Sequence, residues 1–274
     1  MRSLFDPIPK TDLKLLEAFS KREWQLIPIL ETTTKTTKKL VVVSNKPFKG
    51  YATAWPAYAN KFGELAESIP KTLQKSSLVK VRPQVALMLH RAQQILNSNP
   101  DTARFQLVLV DGYRRIDVQR KLFVAYKNFL ARMHPDIDEH ELNDRAQQMV
   151  SIAPENLETV KKCPPPHSTG GAVDVVLMEK SDKINMSNMI NFGARFDEMM
   201  HPKYKDERSF MEFYEGTADN EEVKKNRRVL FNVMTRVGFT NYPYEFWHYD
   251  FGNQFHALCT GSKNAKYGFA GSMA

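Results

Sequence analysis

The stretch Pro164 to Leu177, PPPHSTGGAVDVVL, constrains this chain more than any other segment. Each proline fixes its own φ and removes a backbone donor, so no helix interior runs through 164–166 and His167 sits on a stiff backbone. The valine-rich run that follows, AVDVVL, reads as a β-strand, and Asp174 is its odd polar residue among aliphatics. A carboxylate aimed from a buried strand needs a donor or a cation to compensate its lost hydration. The segment therefore predicts a rigidly held imidazole and a strand carboxylate in one neighbourhood.

The rest of the chain supplies a core large enough to hold such a pair. At 274 residues with 42% hydrophobic content, it fits one large domain or two small ones. Two cysteines, Cys163 and Cys259, suggest no disulfide framework, which points to a reducing compartment. The start breaks every apolar run with Pro, Asp or Lys, and no stretch approaches the ~20 apolar residues of a membrane span. A cytoplasmic location with no membrane partner is the expectation. The net charge of +8 comes from scattered lysines and arginines, without a zinc finger or RNP-type motif, so no nucleic-acid partner is expected.

Residues 1–40 read as an N-terminal extension, with one short helix near 11–24, ahead of a catalytic domain over 41–274. Strands are expected at 40–44, at 105–110 (FQLVLV) and at the AVDVVL run. Helices are expected at 84–97, after Asp111-Gly112 with Val118, Leu122, Tyr126, Phe129, Leu130 and Met133 on one side, at 138–150, and at 219–237. FTNYPYEFWHYDF, 239–251, has an aromatic strand pattern, and 261–274 reads as loosely held. Strands and helices alternate irregularly, so the expected class is α+β.

His167 and Asp174 are both good zinc ligands, and a catalytic zinc usually keeps three protein ligands. In EFWH, His248 offers the third, and Glu245, three residues earlier, is a carboxylate able to deprotonate the attacking water. Positions 245 and 248 differ by an odd number, so a regular strand would place them on opposite faces. A bulge or strand terminus is expected between them. In DGYRR, at the exit of FQLVLV, Arg114 is the candidate to stabilise a developing oxyanion, and Arg115 belongs to the following helix surface.

These residues resemble a known family. HSTGGAVD matches the H-x-x-G-x-A-x-D core of the zinc D-alanyl-D-alanine dipeptidases (VanX-type), EFWH looks like their E-W-W-H, and DGYRR is similar to their D-G-Y-R-P. The order along the chain agrees, and the likeness extends to YAT at 51–53, RFDEM at 195–199 and the run from Asn226 to Tyr249. The resemblance implies a hedgehog/DD-peptidase-like α+β fold with a small central antiparallel sheet flanked by helices. It implies one zinc ion per chain on His167, Asp174 and His248, Glu245 as general base and proton shuttle, Arg114 on the tetrahedral intermediate, and Asp197 and Tyr51 on a small dipeptide substrate. Pro165, Phe246 and Arg115 depart from the pattern, and Pro165 removes a serine hydroxyl that could bind the dipeptide.

The expected function is a zinc metallopeptidase cleaving D-alanyl-D-alanine or a closely related D-configured dipeptide, a role in cell-wall (peptidoglycan) chemistry. Two alternatives remain: a DD- or LD-carboxypeptidase on longer murein peptides, and a non-catalytic zinc-bound interaction domain. The missing export signal argues against the first, and retention of Glu245 and Arg114 argues against the second.

Overall fold

The computed structural model describes residues 2–30, 39–44, 52–54, 56–57, 78–181, 184, 186–198, 207–218 and 220–271. Tyr51, and His201 among the histidines, lie outside the described residues.

The centre is a five-stranded sheet built on β4 (Phe105–Asp111) and β5 (Ala172–Glu179). Its order is β2 (Thr53–Ala54), β4, β5, β7 (His248–Asp250), β6 (Thr240–Asn241). Every neighbouring pair is antiparallel except the edge pair β2 and β4, which is parallel. A separate antiparallel pair joins β1 (Val41–Val42) to β3 (Lys80–Val81). Residues 172–178 are buried without alternation, because both faces of β5 are covered; this is why the sequence shows a continuous aliphatic run there.

Helix α2 (Pro83–Ser98) opens on a proline at its first position, where no intrahelical donor is lost, and buries Val85, Met88, Leu89, Ala92 and Leu96 against β4 and α6 (Glu221–Arg236). Helix α6 ends at Gly238, whose φ of +104° a side chain would resist, and starts at Asn220 in a left-handed conformation rather than at a side-chain cap. Helix α3 (Ile116–Met133) packs on α4 (Glu139–Met149). Its buried stripe runs through Gln119, Leu122, Phe123, Tyr126 and Leu130, so Met133, expected on that side, is exposed beyond the end of the contact.

The described segments nearest both ends pack on the body. Leu4 and Ile8 enter the main core, while Phe19, Trp24, Tyr242, Tyr244 and Phe255 form a second cluster bringing helix α1 (Leu13–Ser20) onto helix α7 (Gln254–Thr260). The C-terminal segment, expected to be loose, is instead tied down. Ala265, Tyr267 and Phe269 are buried, Ala265 exchanges backbone hydrogen bonds with the 28–30 segment, and Arg82 donates to the Gly268 carbonyl while stacking on Tyr267. The residues around them are small or polar, which hid three anchors spaced two apart. Helix α5 (Leu157–Lys162) buries Val160 in a small cluster with Ile116, Ala153 and Phe269.

Candidate metal centre

The site is assembled by strand register. Asp111 on β4 pairs with Asp174 on β5, and Asp174 pairs with His248 on β7, so three chemistry-bearing residues lie in one row across the sheet. The row exists because the ladder shifts between Leu109 and Asp111, a β-bulge that re-aims the end of β4. The aromatic strand expected over 239–251 is divided. Strand β6 stops at Asn241, two turns follow (Glu245 N–H to the Tyr242 carbonyl, 3.0 Å; His248 N–H to the Glu245 carbonyl, 3.3 Å), and β7 starts at His248. The expected strand terminus between Glu245 and His248 is therefore present, and it lets both side chains face one space.

His167 arrives on the 3-10 turn Pro166–Thr169 that the prolines initiate. That turn is fastened to the DGYRR segment: Arg114 N–H donates to the His167 carbonyl at 3.2 Å, and the Ser168 hydroxyl donates to the Arg114 carbonyl at 2.9 Å. Gly112 is required by close approach, since a Cβ there would lie 2.6 Å from the Lys80 carbonyl oxygen.

Three ligand atoms converge. His167 Nε2 lies 3.2 Å from His248 Nδ1 and 3.4 Å from Asp174 Oδ2, and His248 Nδ1 lies 3.0 Å from Asp174 Oδ1. Among the described residues, His167, Asp174 and His248 form the group able to hold a metal ion, each offering an atom within 4.8 Å of the others, and all three are buried.

The outer partners decide the tautomers. His167 Nδ1 is 2.8 Å from the Gly112 carbonyl, which only accepts, so Nδ1 carries the proton and Nε2 presents a lone pair. His248 Nε2 is 3.2 Å from Asp250 Oδ2, an ion-pair contact rather than a well-aligned hydrogen bond; a carboxylate also only accepts, so the proton belongs on Nε2 and Nδ1 presents a lone pair. Two imidazole lone pairs and a carboxylate facing one another repel unless a cation sits among them, and this donor set suits zinc. Where a proton rather than a metal ion sits among them, burial opposes charge on His248, yet Asp250 and Asp174 outweigh it and raise its pKa well above the ordinary value, so a metal binding there displaces a proton. In that protonated form burial likewise opposes ionisation of Asp174, but the charge of His167 and hydrogen bonds from both imidazolium rings hold its carboxyl far below the usual range.

Glu245 Oε2 lies 3.7 Å from His248 Nδ1. Burial pushes the Glu245 carboxyl up to about 8, with Asp174 and Asp197 adding to the rise and His248 and Arg114 opposing it. Arg114 is 7% exposed and braced: Asp111 Oδ2 accepts from its Nε at 3.0 Å and from a terminal nitrogen at 2.6 Å, Gln119 Oε1 accepts at 2.8 Å, and Asp174 Oδ2 is 3.8 Å away. Arg115, in contrast, pairs with Asp117 at the surface. Asp197 is 2% exposed with φ +58°, a conformation aspartate tolerates better than most residues, and lines the same cavity as the ligands.

Sequence reasoning missed Asp111, Gln119 and Asp250. Asp111 read as a turn former and Asp250 as the end of an aromatic run; only its i+2 relation to His248 along β7 hinted at a shared environment.

The fold and site define the class: an α+β protein with a buried single-metal centre of two histidines and an aspartate, flanked by a buried glutamate and a braced arginine. The chain belongs to the D-ala-D-ala dipeptidase family, whose sequence profile matches residues 64–260. Among similar proteins, a D-alanyl-D-alanine dipeptidase of Synechocystis sp. is 24% identical over 165 residues, covering 55% of this chain and 61% of the relative. One from Enterococcus faecium is 29% identical over 153 residues, covering 54% and 63%. The chain thus matches somewhat under two thirds of the length of these relatives. A solved vancomycin-resistance D,D-pentapeptidase, a point mutant in complex with Zn(II), is 14% identical, with a TM-score of 0.38 over 70% of this chain and 83% of that one.

Proposed function

We propose that the chain is a zinc-dependent dipeptidase hydrolysing D-alanyl-D-alanine or a closely related D-configured dipeptide, with residues 41–274 as catalytic domain and 1–40 as N-terminal extension. The observation that carries the reading is the convergence of three acceptor atoms whose tautomers are set from outside, beside a buried carboxylic acid and a braced arginine. His167, Asp174 and His248 hold the metal; bound there, zinc supplies a Lewis acid that polarises the scissile carbonyl and acidifies water. Glu245 takes a proton from the attacking water and passes it to the leaving amine. Arg114, fixed by Asp111 and Gln119, directs its fork at the oxygen on which negative charge develops. Asp197 receives the substrate ammonium, and Tyr51 is a further substrate contact.

No helix of the described residues is long and apolar enough to cross a membrane. A cytoplasmic enzyme acting on free dipeptides, with neither nucleic acid nor membrane as partner, follows from this reading. The test measures release of D-alanine by zinc-loaded protein from D-Ala-D-Ala, N-acetyl-D-Ala-D-Ala and a murein pentapeptide. Because acylation removes the ammonium that Asp197 would pair with, kcat/KM should fall at least about 10²-fold for the acetylated substrate. Equal cleavage of all three would establish a carboxypeptidase instead.

A further inference from the structure

The cavity that holds the ligand atoms, Glu245, Arg114 and Asp197 has a volume of only about 40 Å³, too small for a dipeptide. A second cavity of about 610 Å³ adjoins it, and Gln148, Ser151, Tyr242 and Phe255 line both. That larger volume lies in the range of small-molecule sites. One of its walls is the N-terminal segment, including Phe19 and Trp24, which precedes the family-matched span of 64–260; the facing wall comes from α4 and the loop carrying Ile152. An ion pair between Arg22 and Asp144, 3.2 Å, joins the two walls.

The lining is more aromatic than a methyl side chain requires. Trp24 and Phe255 meet edge to face at 4.7 Å, Phe19 and Tyr242 at 5.1 Å, and Tyr244 adjoins Tyr242 at 5.2 Å. Tyr242 stands at the boundary, its ring 5.9 Å from that of His248 and its hydroxyl donating to the Gln148 carbonyl at 2.6 Å. The charged side chains of this cavity pair among themselves, Arg22 with Asp144 and Arg145 with Glu141, which leaves the aromatic face to set what binds.

We propose that this second cavity is the subsite for the residue on the leaving-amine side of the scissile bond, and that it selects D-configured dipeptides whose second residue carries a large apolar, preferably aromatic, side chain. The inference rests on the dipeptidase reading and narrows its substrate. Asp197, assigned to the ammonium, lines the small cavity and not the large one, so the bulk that fills the large one belongs to the second residue.

The test separates binding from turnover. Zinc-loaded Glu245→Gln protein, which keeps the pocket while losing the proton carrier, is titrated calorimetrically with D-Ala-D-Ala, D-Ala-D-Phe and D-Phe-D-Ala. D-Ala-D-Phe should bind at least about 10-fold tighter than D-Ala-D-Ala, since a phenyl ring buries far more apolar area than a hydrogen at the same carbon, and D-Phe-D-Ala should show no gain. Two substitutions in that background, Ser20→Trp to fill the cavity from the exposed end of α1 and Ile152→Asp to charge the exposed facing wall, should each abolish the advantage of D-Ala-D-Phe over D-Ala-D-Ala. Equal affinities for the three dipeptides, a gain for D-Phe-D-Ala instead, or a preference that survives both substitutions overturns the proposal. Failure of the dipeptidase reading is seen separately, as wild-type protein that binds these dipeptides without releasing amino acid.

Discussion

Replacing Asp250 by asparagine tests the tautomer logic of the metal centre with a change of one atom. Asp250 is 1% exposed and faces two donors: His248 Nε2, 3.2 Å from Oδ2, and Asn253 Nδ2, 2.5 Å from Oδ1. Asn253 cannot turn to accommodate the new amide, because its own oxygen caps α7 by accepting from His256 N–H at 3.0 Å. In Asp250→Asn the amide oxygen must therefore face Asn253, and its NH2 group must face His248 Nε2. A donor there favours the imidazole with its proton on Nδ1, the atom that must present a lone pair to the metal. Loss of an outer partner of a ligating histidine typically costs 10–100-fold in metal affinity, about 1.4–2.7 kcal/mol, and a tautomer forced the wrong way places Asp250→Asn at the upper end. Zinc dissociation constants against a competing chelator measure the loss, and 15N chemical shifts of the His248 ring in the apo protein, taken at a pH high enough to remove the imidazolium proton, report which nitrogen keeps its hydrogen. Asp250→Ala, which imposes no donor, should weaken zinc less than the asparagine variant. Wild-type affinity and an unchanged ring-nitrogen pattern in Asp250→Asn would refute the reasoning.

Further expectations concern the catalytic groups and the anchored N-terminus. Glu245→Gln should retain one zinc per chain while kcat falls by roughly 10²–10⁴-fold, the usual worth of a positioned acid–base group; near-normal turnover would move that role to another residue. Arg114→Ala should lower kcat by roughly 10²–10³-fold with a smaller change in KM, whereas Arg115→Ala, at the surface with Asp117, should change either by less than about twofold; equal losses would show the fork misassigned. Glu215 accepts from Ile8 N–H at 2.9 Å and from Arg228 at 2.8 and 2.6 Å; burial raises its pKa, but these partners outweigh that and lower it below the ordinary glutamate value. A depressed carboxylate contributes stability above its unfolded pKa and loses it as pH falls through the folded value. Glu215→Gln should therefore cost about 1–2 kcal/mol at pH 7 by chemical denaturation, with the gap from wild type closing in acid, and a gap independent of pH would contradict the pairing.

The sequence by itself determined the main strands and helices and supplied the residues proposed for the site. Continuous aliphatic runs at 105–110 and 172–177 read as strands, the 3.6-residue spacing over 84–97 marked α2, and prolines 164–166 braced His167, while the 3-10 turn that carries it came from the structure. His167, Asp174, His248, Glu245 and Arg114 were legible because each is a reactive type where its surroundings are not, and the structure brings all five to one cavity. The tertiary structure alone decided what those residues do to one another. Local sequence carries no strand register, so the row Asp111, Asp174, His248 appeared only once the bulge in β4 set the pairing. Tautomers are fixed by partners such as Gly112 and Asp250, whose side of contact depends on three-dimensional approach. The C-terminal anchors Ala265, Tyr267 and Phe269 and the N-terminal wall of the second cavity rest on contacts between segments far apart in the chain and without periodicity, and such contacts leave no local pattern to read.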